Sequence, residues 1–132
     1  MISAELNRRI IKLAPKHVAS DYAPHSFETL NSASTSGLVV WSGASDKTIY
    51  GDSSVNWAFR AWHDSLHLKL NAEFNEAGEK RVALEQARLI GGDTFGLIIV
   101  GEIVGQAEYL SKYGQFPVDQ VEFMHNYLKG KL

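Results

Sequence analysis

Residues 53–70 read Ser53-Ser54-Val55-Asn56-Trp57-Ala58-Phe59-Arg60-Ala61-Trp62-His63-Asp64-Ser65-Leu66-His67-Leu68-Lys69-Leu70, with neither Gly nor Pro inside the run and with Asp52 or Ser53 placed to cap it. This stretch predicts a helix, and the chain beyond it reads the same way over 76–90, 94–113 and 118–129. Gly91-Gly92 separates the second from the third, Asp93 or Thr94 is placed to cap the third, and Pro117 falls where the last helix should begin. Four such helices in succession predict a helical bundle.

Toward the N-terminus the pattern changes. Asp21 to Ser54 is rich in Ser, Thr, Gly, Asp and Asn, and its only strand-like runs are Gly37–Trp41 and Lys47–Tyr50. The turn-rich Ser42-Gly43-Ala44-Ser45-Asp46 between them predicts a small β-hairpin. Residues 3–20 place Leu6, Ile10, Leu13 and Val18 at helical spacing behind a Ser3 N-cap, with Pro15 ending or kinking the helix. The expected fold is therefore mainly α, about four C-terminal helices plus an N-terminal helix and a small β-hairpin, in a single domain over 1–132.

Composition narrows the function classes. The 132 residues carry 13 Lys plus Arg against 15 Asp plus Glu, a net charge of −2, and are 45% hydrophobic and 21% charged, which disfavours disorder, collagen and polybasic arms. Without a basic excess, Trp41, Trp57, Trp62 and Phe59 read as core or cleft wall, not as a base-stacking surface for nucleic acid. The absence of Cys excludes disulfides, thiolate-bound zinc, iron–sulfur clusters and a cysteine nucleophile, so any metal is left to His and carboxylate. It also fits a reducing, cytoplasmic setting. Arg8, Arg9, Lys12 and Lys16 interrupt the N-terminal segment, which therefore does not read as an export signal. Phe95–Val104 is interrupted by Glu102 and is about half the roughly 20 residues a bilayer span needs, so it predicts a buried helix and no membrane anchor.

The chemistry concentrates in the first of the four helices. His63 and His67 lie four residues apart, about 40° around a helix axis, so both imidazoles can point at one centre, as in helical metal sites. Neutral imidazole suits zinc, manganese, iron or nickel, but two ligands leave such a site incomplete. Glu79, after Gly78 near the start of the next helix, and Glu102, a carboxylate within an apolar run, are the candidates to complete it. Asp64 is placed to orient or deprotonate a bound water, and Arg60 to stabilise an anionic substrate or hold a carboxylate. The competing reading makes Arg60, His63, Asp64 and Glu102 a buried polar network that fixes helix register in a non-catalytic interaction protein. Negative charge in a helix's first turn is by itself sufficient to explain Glu79.

His63-Asp64-Ser65-Leu66-His67, followed by Phe74 and Gly78-Glu79, resembles the His-Asp-x-x-His and downstream Gly-Glu of the HD-domain phosphohydrolases, helical enzymes that hold metal and cleave nucleotide phosphoesters. That resemblance implies an upstream ligand at His25 and a final one at Asp93 or Asp119. A weaker similarity to the zincin metallopeptidases implies that Asp64 stands in for their general-base Glu. Asn56–Gln86, with Gly114-Gln115-Phe116-Pro117-Val118-Asp119-Gln120, is similar to an uncharacterised family of small bacteriophage proteins. This implies a setting, the host bacterial cytoplasm, and no activity; the partners expected from the two readings of the helix residues are a small-molecule or phosphoester substrate, or a host protein.

Overall fold

The structure is a computed structural model and describes residues 2–23, 28–30, 38–45 and 48–131. Ser3 caps the first helix, α1 (Ala4–Leu13), accepting a 3.1 Å hydrogen bond from the Leu6 N–H. Pro15 forces Ala14 into an extended conformation, and the chain leaves the helix there. The amphipathic reading of 3–20 thus holds only to Leu13. His17–Ser20 is a strand, β1, and Val18 is exposed on it.

Strand β2 (Leu38–Trp41) was expected to pair with Lys47–Tyr50 in a hairpin. It instead lies parallel to β1, with His17 opposite Leu38 and Ser20 opposite Trp41. Lys47 lies outside the described residues, and Thr48–Tyr50 is a turn. The segment after β2 keeps one backbone bond to β1, from the Ser42 N–H to the Ser20 carbonyl at 2.9 Å, and is held further by helix side chains. Trp57 Nε1 donates to the Ser42 carbonyl, Asn56 Nδ2 to Ser45 Oγ, and Arg60 Nη1 to the Trp41 and Gly43 carbonyls.

The helical part follows its expected order. Helix α2 (Ser53–Leu70) is capped by Asp52, and α3 (Glu76–Ile90) by Asn75, whose side chain accepts from the Gly78 N–H at 2.8 Å. Helix α4 (Asp93–Val100) starts after Gly92 with no side-chain cap, so neither Asp93 nor Thr94 has that role. It runs through a π-turn at Gly101–Gly105 into α5 (Gln106–Tyr113), and the Gln106 N–H reaches the Gly101 carbonyl five residues back. Helix α6 (Gln120–Lys131) begins later than expected. Pro117 lies before it, and Asp119 accepts from the Glu122 N–H at 3.0 Å in the manner of an N-cap.

The fold is mainly α, with six α-helices and one two-stranded parallel sheet among the described residues. Leu6 and Ile10 of α1, Phe59, Trp62 and Leu66 of α2, Val82 of α3, Ile98 and Ile99 of α4, and Met124 of α6 meet in one apolar core. Across the π-turn, a Cβ on Gly101 or Gly105 would lie 2.8–2.9 Å from the Tyr127 ring. These two glycines therefore bring α6 close, and Phe95–Val104 is the buried helix expected, with Ile98, Ile99 and Ile103 inside. Among the described residues no helix is long and apolar enough to cross a membrane.

Candidate metal centre

Helix α2 ends in a Schellman motif. Asn71 adopts the left-handed conformation (φ 52°, ψ 44°), and the Ala72 N–H returns to the His67 carbonyl at 2.9 Å. The same turn brings the Ala72 carbonyl to 2.8 Å from His67 Nδ1. Because a carbonyl only accepts, Nδ1 carries the proton, and the Nε2 lone pair of this fully buried imidazole faces the other way. The link to α3 then folds tightly over Gly78, where a Cβ would sit 1.9 Å from the Glu73 carbonyl oxygen. This packing delivers Glu79, the next residue, to the histidines.

His63 is oriented from the other end of α3. Its Nδ1 donates to Gln86 Oε1 at 2.7 Å, which leaves Nε2 directed at Glu79 Oε2, 2.9 Å away. His67 Nε2 lies 3.3 Å from the same oxygen and 3.1 Å from His63 Nε2. Two ring nitrogens and one carboxylate oxygen thus converge on a single point, and His63, His67 and Glu79 form the one potential metal-binding group among the described residues. The Phe74 ring packs edge-on against His67 (centroids 4.6 Å apart), and Phe59 stacks on His63 at 6.2 Å.

Three acceptors so close together are tolerable only with positive charge between them, as a proton or a cation. Burial favours the neutral form of His63, but the hydrogen bond to Glu79 and its charge, with Gln86 and Asp64, together outweigh it and raise the His63 pKa above its ordinary value. Burial also pushes the Glu79 carboxyl up, yet the two histidines beside it together outweigh this and hold it at about 2. A tetrahedral ion with bonds of about 2.0–2.1 Å separates its ligand atoms by roughly 3.3 Å. The observed separations of 2.9, 3.1 and 3.3 Å are close to that spacing.

The other expected site residues among those described do not enter this ligand group. Asp64 follows His63 on α2; burial raises its carboxyl to about 6, against the opposing charges of His63 and His67. Glu102, in the π-turn, is absent from the ligand group, which leaves Glu79 as the carboxylate the structure brings to the histidines. Burial raises Glu102 to about 7 even with Gln106 and Arg60 nearby, and its Oε1 has no hydrogen-bond partner among the described residues. Arg60 is committed to the carbonyls of Trp41 and Gly43, with its guanidinium 5.2 Å from the Trp41 ring. Asp93 and Asp119 are exposed at helix starts, away from the histidines' ligand group, and His25 lies outside the described residues.

Two contributors escaped sequence reasoning, Gln86 and the Ala72 carbonyl. The signal for Gln86 was present, as a polar residue on the α3 face that buries Val82, Ala83 and Ile90. The signal for Ala72 was Asn71, a residue type suited to the left-handed cap. A groove of about 520 Å³ opens beside Glu79, walled by Phe74, Glu79 and Lys80 on one side and by Val104, Ser111 and Lys112 on the other. No protein-family model, curated protein or solved structure matches the chain.

Proposed function

We propose that this protein is a small metal-dependent hydrolase that holds a divalent ion on His63, His67 and Glu79. The observation that carries the reading is the fixed tautomer of both imidazoles. Each Nδ1–H is engaged by an acceptor, Gln86 Oε1 or the Ala72 carbonyl, so both Nε2 lone pairs face one carboxylate oxygen. The all-nitrogen-and-oxygen ligand set suits zinc, manganese, iron or nickel. A divalent ion there supplies Lewis acidity and lowers the pKa of a coordinated water toward neutrality. Asp64, with its carboxyl near 6, is ionised at neutral pH and suited to orient that water or take its proton. Lys80 and Lys112, on facing walls of the groove, suit an anionic ester, and Phe74 with Val104 suits its apolar part. A nucleotide or other phosphoester fits that description, and the resemblance to small phage proteins adds the bacterial cytoplasm as its setting.

The test is elemental analysis of untagged protein purified without chelator, beside His63→Ala. The expected result is near-stoichiometric metal that is lost in the variant at unchanged helicity, followed by turnover in a screen of nucleotides, phosphoesters and peptides. A protein that contains no metal and takes up none on addition rules the reading out.

A second reading has its own support. The 2.9 and 3.1 Å separations are also hydrogen-bond lengths, and one proton on His63 Nε2, facing both Glu79 Oε2 and His67 Nε2, satisfies them. In that case the cluster fixes the α2–α3 register, and the function is recognition of a host protein. Absence of metal from the purified protein selects it, and a pull-down from host cytoplasm is then the informative experiment.

A further inference from the structure

Glu79 and Gln86 are seven residues apart on α3, two turns along the same face. The imidazole of His63 lies between them, its Nε2 2.9 Å from Glu79 and its Nδ1 2.7 Å from Gln86. We propose that Gln86 is a positioning residue for the metal centre, holding His63 in the tautomer that presents Nε2 to the ion; the proposal rests on the metal-centre reading above.

Three observations carry it. Gln86 is fully buried, and its Nε2 has no hydrogen-bond partner among the described residues. Stability alone does not account for such a side chain, since Met fills similar volume without burying an unsatisfied amide. What the amide provides in return is one oxygen, delivered to the far nitrogen of a candidate ligand. The third observation is the contrast with His67, whose Nδ1 is held by the Ala72 backbone carbonyl and is therefore indifferent to side-chain identity. The tautomer of His63, by comparison, depends on a side chain. Without an acceptor there, the proton is free to move to Nε2, the atom the ion requires, and ion binding then competes against that tautomer.

The experiment measures zinc affinity of the full chain by competition with a chelating dye, together with the urea midpoint of the metal-free protein, for wild type, Gln86→Met and Gln86→Glu. Gln86→Met is expected to bind zinc about 10- to 100-fold more weakly, with a midpoint equal to or above that of wild type. Gln86→Glu restores an acceptor and is expected to bind at least as tightly as wild type. If Gln86→Met binds as tightly as wild type, Gln86 has no positioning role and the metal centre stands without it. If both variants bind weakly and both midpoints fall, the residue acts through packing and the proposal is overturned. Failure of the wild type to bind zinc or any other divalent ion overturns the metal centre itself, a result distinct from both.

Discussion

At the scale of single residues, the proposed metal would compete with a proton for the same centre. His63 titrates above its ordinary range because Glu79 favours its charged form, so an incoming ion displaces a proton. Ion affinity is therefore expected to rise with pH through the neutral range and to level off once His63 is deprotonated; calorimetric titration with zinc at several pH values checks this. A pH-independent affinity contradicts the assignment of Nε2 as the ligand atom. Glu102 gives the opposite kind of signal. Its folded pKa is raised to about 7, so below about 4.5 both the folded and unfolded states are protonated and ionisation has no bearing on folding. Between those values the unfolded chain ionises and the folded one does not, and stability falls as pH rises, by up to about 3 kcal/mol at 1.36 kcal/mol per unit. Glu102→Gln is expected to remove most of this fall: the variant gains urea resistance at pH 8 and differs little from wild type at pH 4.

At the scale of elements, two close approaches position the parts. Gly78→Ala drives a methyl into the Glu73 carbonyl, and the first turn of α3 must shift. The expected loss is about 2 kcal/mol, accompanied by weaker zinc binding because Glu79 moves with that turn. Gly101→Ala meets the Tyr127 ring and is expected to cost about 1–3 kcal/mol, a loss that Tyr127→Ala in the same chain should partly relieve. A double-mutant cycle in urea reads the coupling. The elements were largely legible in the sequence, because α2, α3 and the long α4–α5 run announce themselves through uninterrupted helical stretches bounded by Asp52, Asn75 and paired glycines. The sheet was not legible. Parallel pairing of His17–Ser20 with Leu38–Trp41 joins segments distant in sequence, whereas a turn-rich link between two nearby strand-like runs reads as a hairpin by local rules. The site divided in the same way. His63, His67 and Glu79 follow from helical spacing and a short link, but the choice between Glu79 and Glu102, and the commitment of Arg60 to backbone carbonyls, depend on how helices pack.

At the scale of the whole molecule, α1 is tied to the far end of α3. Arg9 Nη1 donates to the Ile90 and Gly91 carbonyls at 2.9 and 3.1 Å, and its guanidinium lies 5.0 Å from the Phe95 ring. It satisfies helix-end carbonyls that lack intrahelical partners. Arg9→Met is expected to destabilise the fold by about 1–2 kcal/mol while leaving zinc affinity unchanged, since the proposed ligands lie toward the opposite, N-terminal end of α3 and the end of α2; urea unfolding and dye competition separate the two effects. The π-turn has a different kind of consequence, visible when it is counted as an insertion. A turn closed five residues back holds one residue more than an α-helical turn, and that residue rotates everything after it by about 100° relative to what came before. The face of α5 that presents Ser111 and Lys112 to the groove is thereby set about 100° from where an unbroken continuation of α4 would place it. Excising one residue between Gly101 and Gly105 should restore the straight helix and swing that wall aside, leaving a chain that keeps the proposed ligands His63, His67 and Glu79 together but has lost one side of the cleft beside them.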